Sequence, residues 1–403
     1  MKLALPGLVV FCAPLLLEAC RSENAAGPSR PAAQESSGES SNARGRAVEA
    51  GLDWLARHQL PDGSWRPSGV DAGCRESFEH GASKVAWVDH YDVGSTALAA
   101  LAFLRAGAPG EPAERALAWL RSQQNEQGSF SKDRSFLYNE ALATLALVEH
   151  YAATKDAKEL EPAQRAVDFL VHAQRPSPSG EGSWGWRYNS RMEIEQKFAT
   201  AEPNEMQKRE LYDSDVSCTS WAAAALVAAR DAGLVVDPSA LAGAANFVRW
   251  CRARDGLVGY NDPRNAGLKV SGRDDQFTYH PTCMSSVGLR LALELDPSSA
   301  EDFIEPAAKR ISVDLPTVSD DGLSIDYYYW LHGTQALAAY DQARPARYFQ
   351  AWDRVLRKVL IGLQDHKSED CGRGAWLVPD RWSYAAGPVY TTAMALLALE
   401  QKG

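Results

Sequence analysis

Apolar positions along the chain fall into two alternating helical patterns. Four segments are apolar almost all round: STALAALAFL from Ser95, NEALATLALV from Asn139, TSWAAAALVA from Thr219 and TTAMALLALE from Thr391. A helix without a polar face must be buried on every side. The segments that precede them differ, because Arg57, Arg115, Arg121 and Asp168 stand among Leu, Ala and Trp at helical spacing and leave one wet stripe. The pattern therefore predicts pairs made of an outer, amphipathic helix and an inner, buried one.

The outer helices also end alike. GLDWLARHQLPDGSW starts at Gly51, ALAWLRSQQNEQGSF at Ala116, AVDFLVHAQRPSPSGEGSW at Ala166, and a worn copy, VLIGLQDHKSEDCGRGAW, at Val359. Such self-similarity means one supersecondary unit stacked on copies of itself. The units run over 46–106, 112–154, 161–232, 238–296, 301–341 and 347–401, and the fifth lacks the Gly-Ser-Trp ending after its outer helix, Glu301 to Val313. No Pro-rich or Ser-rich linker divides them. Six hairpins with buried inner helices close into a ring, so the expected architecture is an all-α, (α/α)6 toroid forming one domain over 46–403.

The glutamine-to-tryptophan ending resembles the QW repeat of squalene-hopene and oxidosqualene cyclases, whose wider superfamily includes protein prenyltransferase β subunits and complement-like thioester domains. The resemblance spans 46–401. It implies that Gln59, Trp65, Gln123, Gln174, Trp184, Gln364 and Trp376 tie outer helix ends to their neighbours and do no chemistry. It says little about function, because catalytic and non-catalytic proteins share the repeat.

The N-terminal segment is not part of this pattern. Lys2 precedes an apolar run from Leu3 to Leu17, and roughly 15 apolar residues fall short of the about 20 that span a bilayer. A signal peptide over 1–19 is the expectation. LLLEAC resembles the lipobox of bacterial lipoproteins, which implies lipidation of Cys20, with Glu18 a departure from the usual residue type. Residues 20–45 then read as the lipidated cysteine and a disordered linker, rich in Ser, Ala, Gly and Pro. The chain is placed in the bacterial cell envelope, extracytoplasmic and anchored to the membrane through lipid, with a secreted or periplasmic protein as the alternative. Export permits oxidation, and in a closed ring the first and last units are neighbours, so Cys74 and Cys371 are expected to form a disulfide across the seam.

A formal charge of −10 and the lack of a basic stripe exclude nucleic acid as a partner. The sequence contains no Cys-Gly-Glu-Gln thioester, serine nucleophile elbow or phosphate-binding glycine loop. Chemistry is expected where the inner helices begin, because their N-termini turn free N–H groups and positive dipole ends toward one central mouth. A tyrosine stands at or near each start. The residues expected to bind a ligand there are Asp92, Tyr91, Tyr212, Tyr279, His280, Asp326, Tyr328 and Trp330.

The third start carries two resemblances. DSDVSC resembles the DxDD acid motif of class II terpene cyclases, which implies Asp213 and Asp215 as catalytic acids and Asp215 as proton donor, although Val216 stands at the last acid. The same stretch, with TYHPTCMSSVGL, resembles the zinc segments of prenyltransferase β subunits, displaced by one residue; the metal set it leaves is Asp215, Cys218, His280 and Cys283. Rings of this kind also host glycoside hydrolases and lyases, for which Asp92, Asp213, Asp215 and Asp326 are the available carboxylates. Each catalytic template lacks a key residue. The favoured expectation is therefore a non-catalytic module without cofactor, zinc being the alternative, that binds a small molecule (isoprenoid or glycan) or a protein partner. Burial should raise at least one carboxylate pKa. A protonated Asp215 would point to acid catalysis, and an ionised Asp215 beside His280 to a polar or metal-bound ligand.

Overall fold

The structure is a computed structural model that describes residues 37–66, 88–131, 135–180, 182–199, 204–268, 277–299, 301–345, 347–366, 371–383 and 387–402. Residues 1–36 and Cys74 lie outside this set, and with them Cys20, the expected signal segment and one half of the expected disulfide. The described helices are α1 (Ser37–Arg57), α2 (Asp92–Arg105), α3 (Gly110–Gln123), α4 (Leu137–Thr154), α5 (Ala157–Ala173), α6 (Arg191–Phe198), α7 (Glu205–Tyr212), α8 (Val216–Asp231), α9 (Pro238–Cys251), α10 (Cys283–Leu295), α11 (Glu301–Val313), α12 (Tyr327–Ala343), α13 (Tyr348–Leu363) and α14 (Gly387–Glu400).

The ring closes. The inner helices pack in the order α2, α4, α8, α10, α12 and α14, and α14 returns to α2. Each outer helix sits behind two of them: α3 on α2 and α4, α5 on α4 and α8, α9 on α8 and α10, α11 on α10 and α12, α13 on α12 and α14, and α1 on α14 and α2. The polar stripe explains this layering, since a helix that buries only one face must take the outside. The short α6 and α7 are an insertion between the third outer helix and its inner partner.

The repeated ending works through three contacts. The glutamine side chain leaves its own helix end and bridges two carbonyls. Gln59 Nε2 donates to Gly63 O at 2.9 Å and to Pro112 O of the next outer helix at 2.8 Å. The tryptophan indole turns back, Trp65 Nε1 donating to Leu55 O at 2.8 Å, while its backbone N–H donates to Thr96 Oγ1 of the inner helix at 3.0 Å. The glycine allows the approach: Gly63, Gly128 and Gly374 have φ of 93°, 89° and 97°, and a Cβ on Gly374 would stand 2.2 Å from Ala50 O. Only glycine meets both demands without strain.

Two of the expected anchors shift. In the second unit the bridging residue is Gln124, which donates to Gly128 O and to Pro162 O, whereas Gln123 Nε2 reaches only Ser122 Oγ. In the third, Trp186 is the buried anchor: Nε1 donates to Leu170 O at 2.8 Å and its N–H to Thr219 Oγ1 at 3.0 Å. Trp184 instead packs edge-on against Phe247. The worn sixth copy is geometrically complete, with Gln364 Nε2 at 2.8 Å from both Gly374 O and Ala47 O. That second bond joins the last unit to the first, as does Trp54 Nε1 donating to Cys371 O at 2.6 Å. In the fifth unit Tyr329 Oη donates to Asp314 O at 2.7 Å, a substitute for the missing ending.

Candidate active site at the ring mouth

Outer helices end on the face where inner helices begin, so the loops between them gather at one mouth. Part of its wall is a run of rings in contact. His90 meets Tyr91 and Phe136, Phe136 meets Tyr138 and Tyr188, and the Tyr188 and Tyr260 hydroxyls share a hydrogen bond. These rings are half-buried or exposed, with apolar faces and polar tips, which suits a wet binding surface. Below them the axis is crossed. Ser217 Oγ on α8 bonds Tyr328 Oη on α12 at 2.5 Å, and Tyr138 Oη of α4 donates to the same serine at 2.7 Å. Since α8 and α12 are not neighbours in the ring, this contact spans its centre. Tyr328 also rests on His332, which meets Trp221 of α8.

Two acid clusters flank that crossing. In the first, Asp215 is fully buried and caps α8, accepting from Cys218 N at 2.7 Å. Arg187 stands between two carboxylates, its Nε 3.2 Å from Asp213 Oδ2 and its Nη1 3.4 Å from Asp215 Oδ2. Its guanidinium plane lies 4.8 Å over Tyr188 and 5.4 Å over Tyr260. Burial pushes the Asp215 carboxyl up to about 6, with Arg187 and the Cys218 N–H opposing. At neutral pH Asp215 is therefore mostly ionised, and its counter-ion is Arg187 rather than His280.

The second cluster lies at the N-terminus of α12, where two carboxylates cap one helix. Asp326 Oδ1 accepts from Tyr329 N at 2.9 Å, and Asp380 Oδ2, from the loop before α14, accepts from Tyr327 N at 2.9 Å. Asp380 Oδ1 also takes the N–H groups of Trp382 and Ser383. Both carboxyls are about 98% buried. Burial and the neighbouring Asp326 push Asp380 up to about 8, against its three N–H donors. Burial likewise raises Asp326, opposed by His280, the Tyr329 N–H and Arg381. Like charges this close share protons, so the pair holds a proton near neutral pH. Arg381 lies 4.9 Å over Trp382 and 5.8 Å over Tyr279. His280 stacks on Tyr329 at 4.8 Å and pairs with Asp314 at 3.4 Å; burial disfavours its charge, but Asp314 outweighs burial and raises its pKa.

The structure thus brings Tyr91, Tyr279, His280, Asp326 and Tyr328 to the mouth region, with Asp92 beginning α2 and 3.9 Å from Arg66. Tyr212 and Asp213 line a separate lateral groove. Trp330 is fully buried and packs on Tyr327, so it belongs to the core. Asp215, Cys218, His280 and Cys283 do not gather around one point: Asp215 turns to Cys218 N and Arg187, His280 to Asp314, and among the described residues no group of three His, Cys, Asp or Glu side chains is placed to hold a metal. Tyr138 was among the tyrosines expected at the inner-helix starts, whereas sequence reading missed Arg187, Tyr188, Tyr260, Asp380, Arg381 and Trp382. The signal for the last three was a loop, DRWS, that puts an acid, a base and an indole just before an inner helix.

No family model matches the chain, and no curated protein matches it. Solved structures do. It is similar to an α-1,6-mannanase from Salegentibacter sp., an inactive variant in complex with α-1,6-mannotriose, at 13% identity with a TM-score of 0.55, covering 89% of this chain and 100% of that one. A type II terpene cyclase from Scytonema gives 12% identity, a TM-score of 0.56 and coverage of 90% and 98%. An α-amylase from Clostridium perfringens gives 10%, 0.52, 88% and 97%. Identities this low carry the architecture and nothing finer, and the architecture common to these chains and this one is the α/α toroid.

Proposed function

We propose that the ring mouth binds an uncharged glycan and that the Asp326–Asp380 pair acts on it as acid and base. The observation that carries this reading is a set of buried polar atoms without protein partners on the inner helices, of which Tyr390 lies within electrostatic reach of the pair. Tyr390 Oη, both ring nitrogens of His332 and Ser285 Oγ, all on inner helices, have none. Burial lowers the pKa of His332, so its imidazole is neutral and offers one donor and one acceptor. An unpaired buried polar group costs about 1–3 kcal/mol, and a ligand with hydroxyl groups relieves that cost where a hydrocarbon chain cannot. The half-wet tyrosines and Trp382 offer flat faces to a sugar ring. The pair offers one protonated and one ionised carboxyl, the two states that proton donation to a leaving glycosidic oxygen and activation of a water require. Among the neighbours, the mannanase and the amylase carry names of glycan-cleaving enzymes.

The test is product analysis on neutral oligosaccharides with wild type and Asp326→Asn. The expected outcome is cleavage by wild type and loss of at least a hundredfold in rate in the variant, with binding retained. Cleavage unaffected by Asp326→Asn would remove the pair from the chemistry. Isoprenoid cyclisation is the second reading, favoured by Asp213 and Asp215 at the start of α8. Arg187 holds both as ion pairs, which withdraws the proton such a reaction needs. Metal analysis of the same sample tests the zinc alternative.

A further inference from the structure

Tyr212 and Asp213 line a groove of about 380 Å³, together with Trp184, Phe247, Trp250, Ser214 and Asn261. It lies on the mouth face but radially outside the ring, because Trp250 ends the outer helix α9 and Trp184 belongs to the loop after α5. We propose that this groove is a separate binding site for one or two rings of a neutral sugar. The volume falls at the small end of ligand pockets, about 300–1,000 Å³.

Three observations support that occupant. Trp184, Phe247 and Trp250 form one aromatic cluster, with centroids 5.5 Å apart for Trp184 and Phe247 and 6.1 Å for Trp184 and Trp250. Trp250 is nonetheless 46% exposed; an indole left half in water beside a second indole and a phenyl ring presents a flat apolar face, which the C–H face of a pyranose covers. Ser214 is 2% exposed, and its Oγ, buried in the groove wall, has no protein partner. Asn261 uses Oδ1 to accept from Asn265 Nδ2 at 2.7 Å, which leaves its own amide N–H groups as donors. Hydroxyl, amide donors and carboxylate acceptor converge on an aromatic floor. Charge selects against ionic ligands: Arg187 already neutralises Asp213 at 3.2 Å, and a chain of net charge −10 repels acidic sugars.

The site does not depend on the mouth reading. Affinity electrophoresis through gels containing mannan, amylose, xylan or the acidic polygalacturonate tests it with wild type, Trp250→Ala and Trp250→Phe. The expected result is retardation of wild type by at least one neutral polysaccharide, at least a fivefold weaker effect in Trp250→Ala and recovery in Trp250→Phe. Trp250 is surface-placed, so an unchanged melting temperature confirms that the alanine variant is folded. Equal retardation of wild type and Trp250→Ala, no retardation by any neutral polymer, or retardation by polygalacturonate alone overturns the proposal. If the groove binds but oligosaccharide cleavage is absent, the mouth reading fails while this one stands.

Discussion

Replacing the bridging glutamines one at a time separates the contacts that close the ring from residues that merely resemble them. Gln364 Nε2 donates two hydrogen bonds of 2.8 Å, to Gly374 O and across the seam to Ala47 O, and the residue is 4% exposed. Gln364→Ala removes both donors. A buried hydrogen bond contributes about 1 kcal/mol net, and more when the acceptor is left dry and unpaired, so the loss is about 3 kcal/mol. Gln124 makes the equivalent bonds at 3.3 and 3.0 Å from a half-buried position, and Gln124→Ala should cost about 2 kcal/mol. Gln123 reaches only Ser122 Oγ, and Gln123→Ala should stay within about 0.5 kcal/mol, as surface changes do. Gln364→Glu adds a sign: an ionised carboxylate cannot donate to two carbonyls and should be worse than alanine at neutral pH, with part of the loss regained in acid as the side chain is protonated. Urea midpoints at matched pH give the values. Equal costs at Gln123 and Gln124, or a loss below about 1 kcal/mol at Gln364, would refute the bridging argument.

Other outcomes follow from the charges and from the expected lipid tether. The Asp326–Asp380 pair binds protons more tightly when folded than when unfolded, so it lowers stability as pH rises from about 4 to about 8; Asp326→Asn removes one charge and should flatten that slope in pH-dependent unfolding. Arg187→Met leaves Asp215 buried without its counter-ion, which should cost about 3 kcal/mol at pH 8 and progressively less toward pH 5 as Asp215 takes up a proton; a pH-independent loss would remove the ion pair from the account. Cys20→Ser should release the protein from the membrane fraction and block lipid labelling, and non-reducing peptide mapping should find Cys74 joined to Cys371, whereas free thiols at both end that proposal.

The architecture was legible because it rests on periodicity. The absence of a polar face in α4 or α14 dictates burial, and the arginines of α3 dictate exposure, whatever the partners. Details of the repeat were less legible where the motif offers duplicates. Gln123-Gln124 and Trp184-Gly185-Trp186 each present two residues of one type, and only helix phase and the position of the next outer helix decide which one reaches the carbonyls. Trp330 was assigned to the mouth beside Tyr328, yet two residues along a helix rotate a side chain by about 200°, which sends it into the core. The acid pair was half visible: Asp326 begins an inner helix, but Asp380 reaches the same helix end from a loop 53 residues later in the chain, a convergence that no local pattern announces. The same holds for Arg187, which turns the expected acid motif of Asp213 and Asp215 into an ion-pair bridge.

The proposed glycan is held at the mouth through polar atoms that the protein itself leaves unpaired, and Tyr390 Oη is one of them. Calorimetric titration of wild type and Tyr390→Phe, with neutral oligosaccharides in one arm and a geranylgeranyl compound in the other, tests it directly. Predicted is saturable glycan binding that weakens about tenfold when the hydroxyl is removed, about 1.4 kcal/mol, with no isoprenoid binding; isoprenoid binding without glycan binding, or glycan affinity identical in Tyr390→Phe, would contradict it.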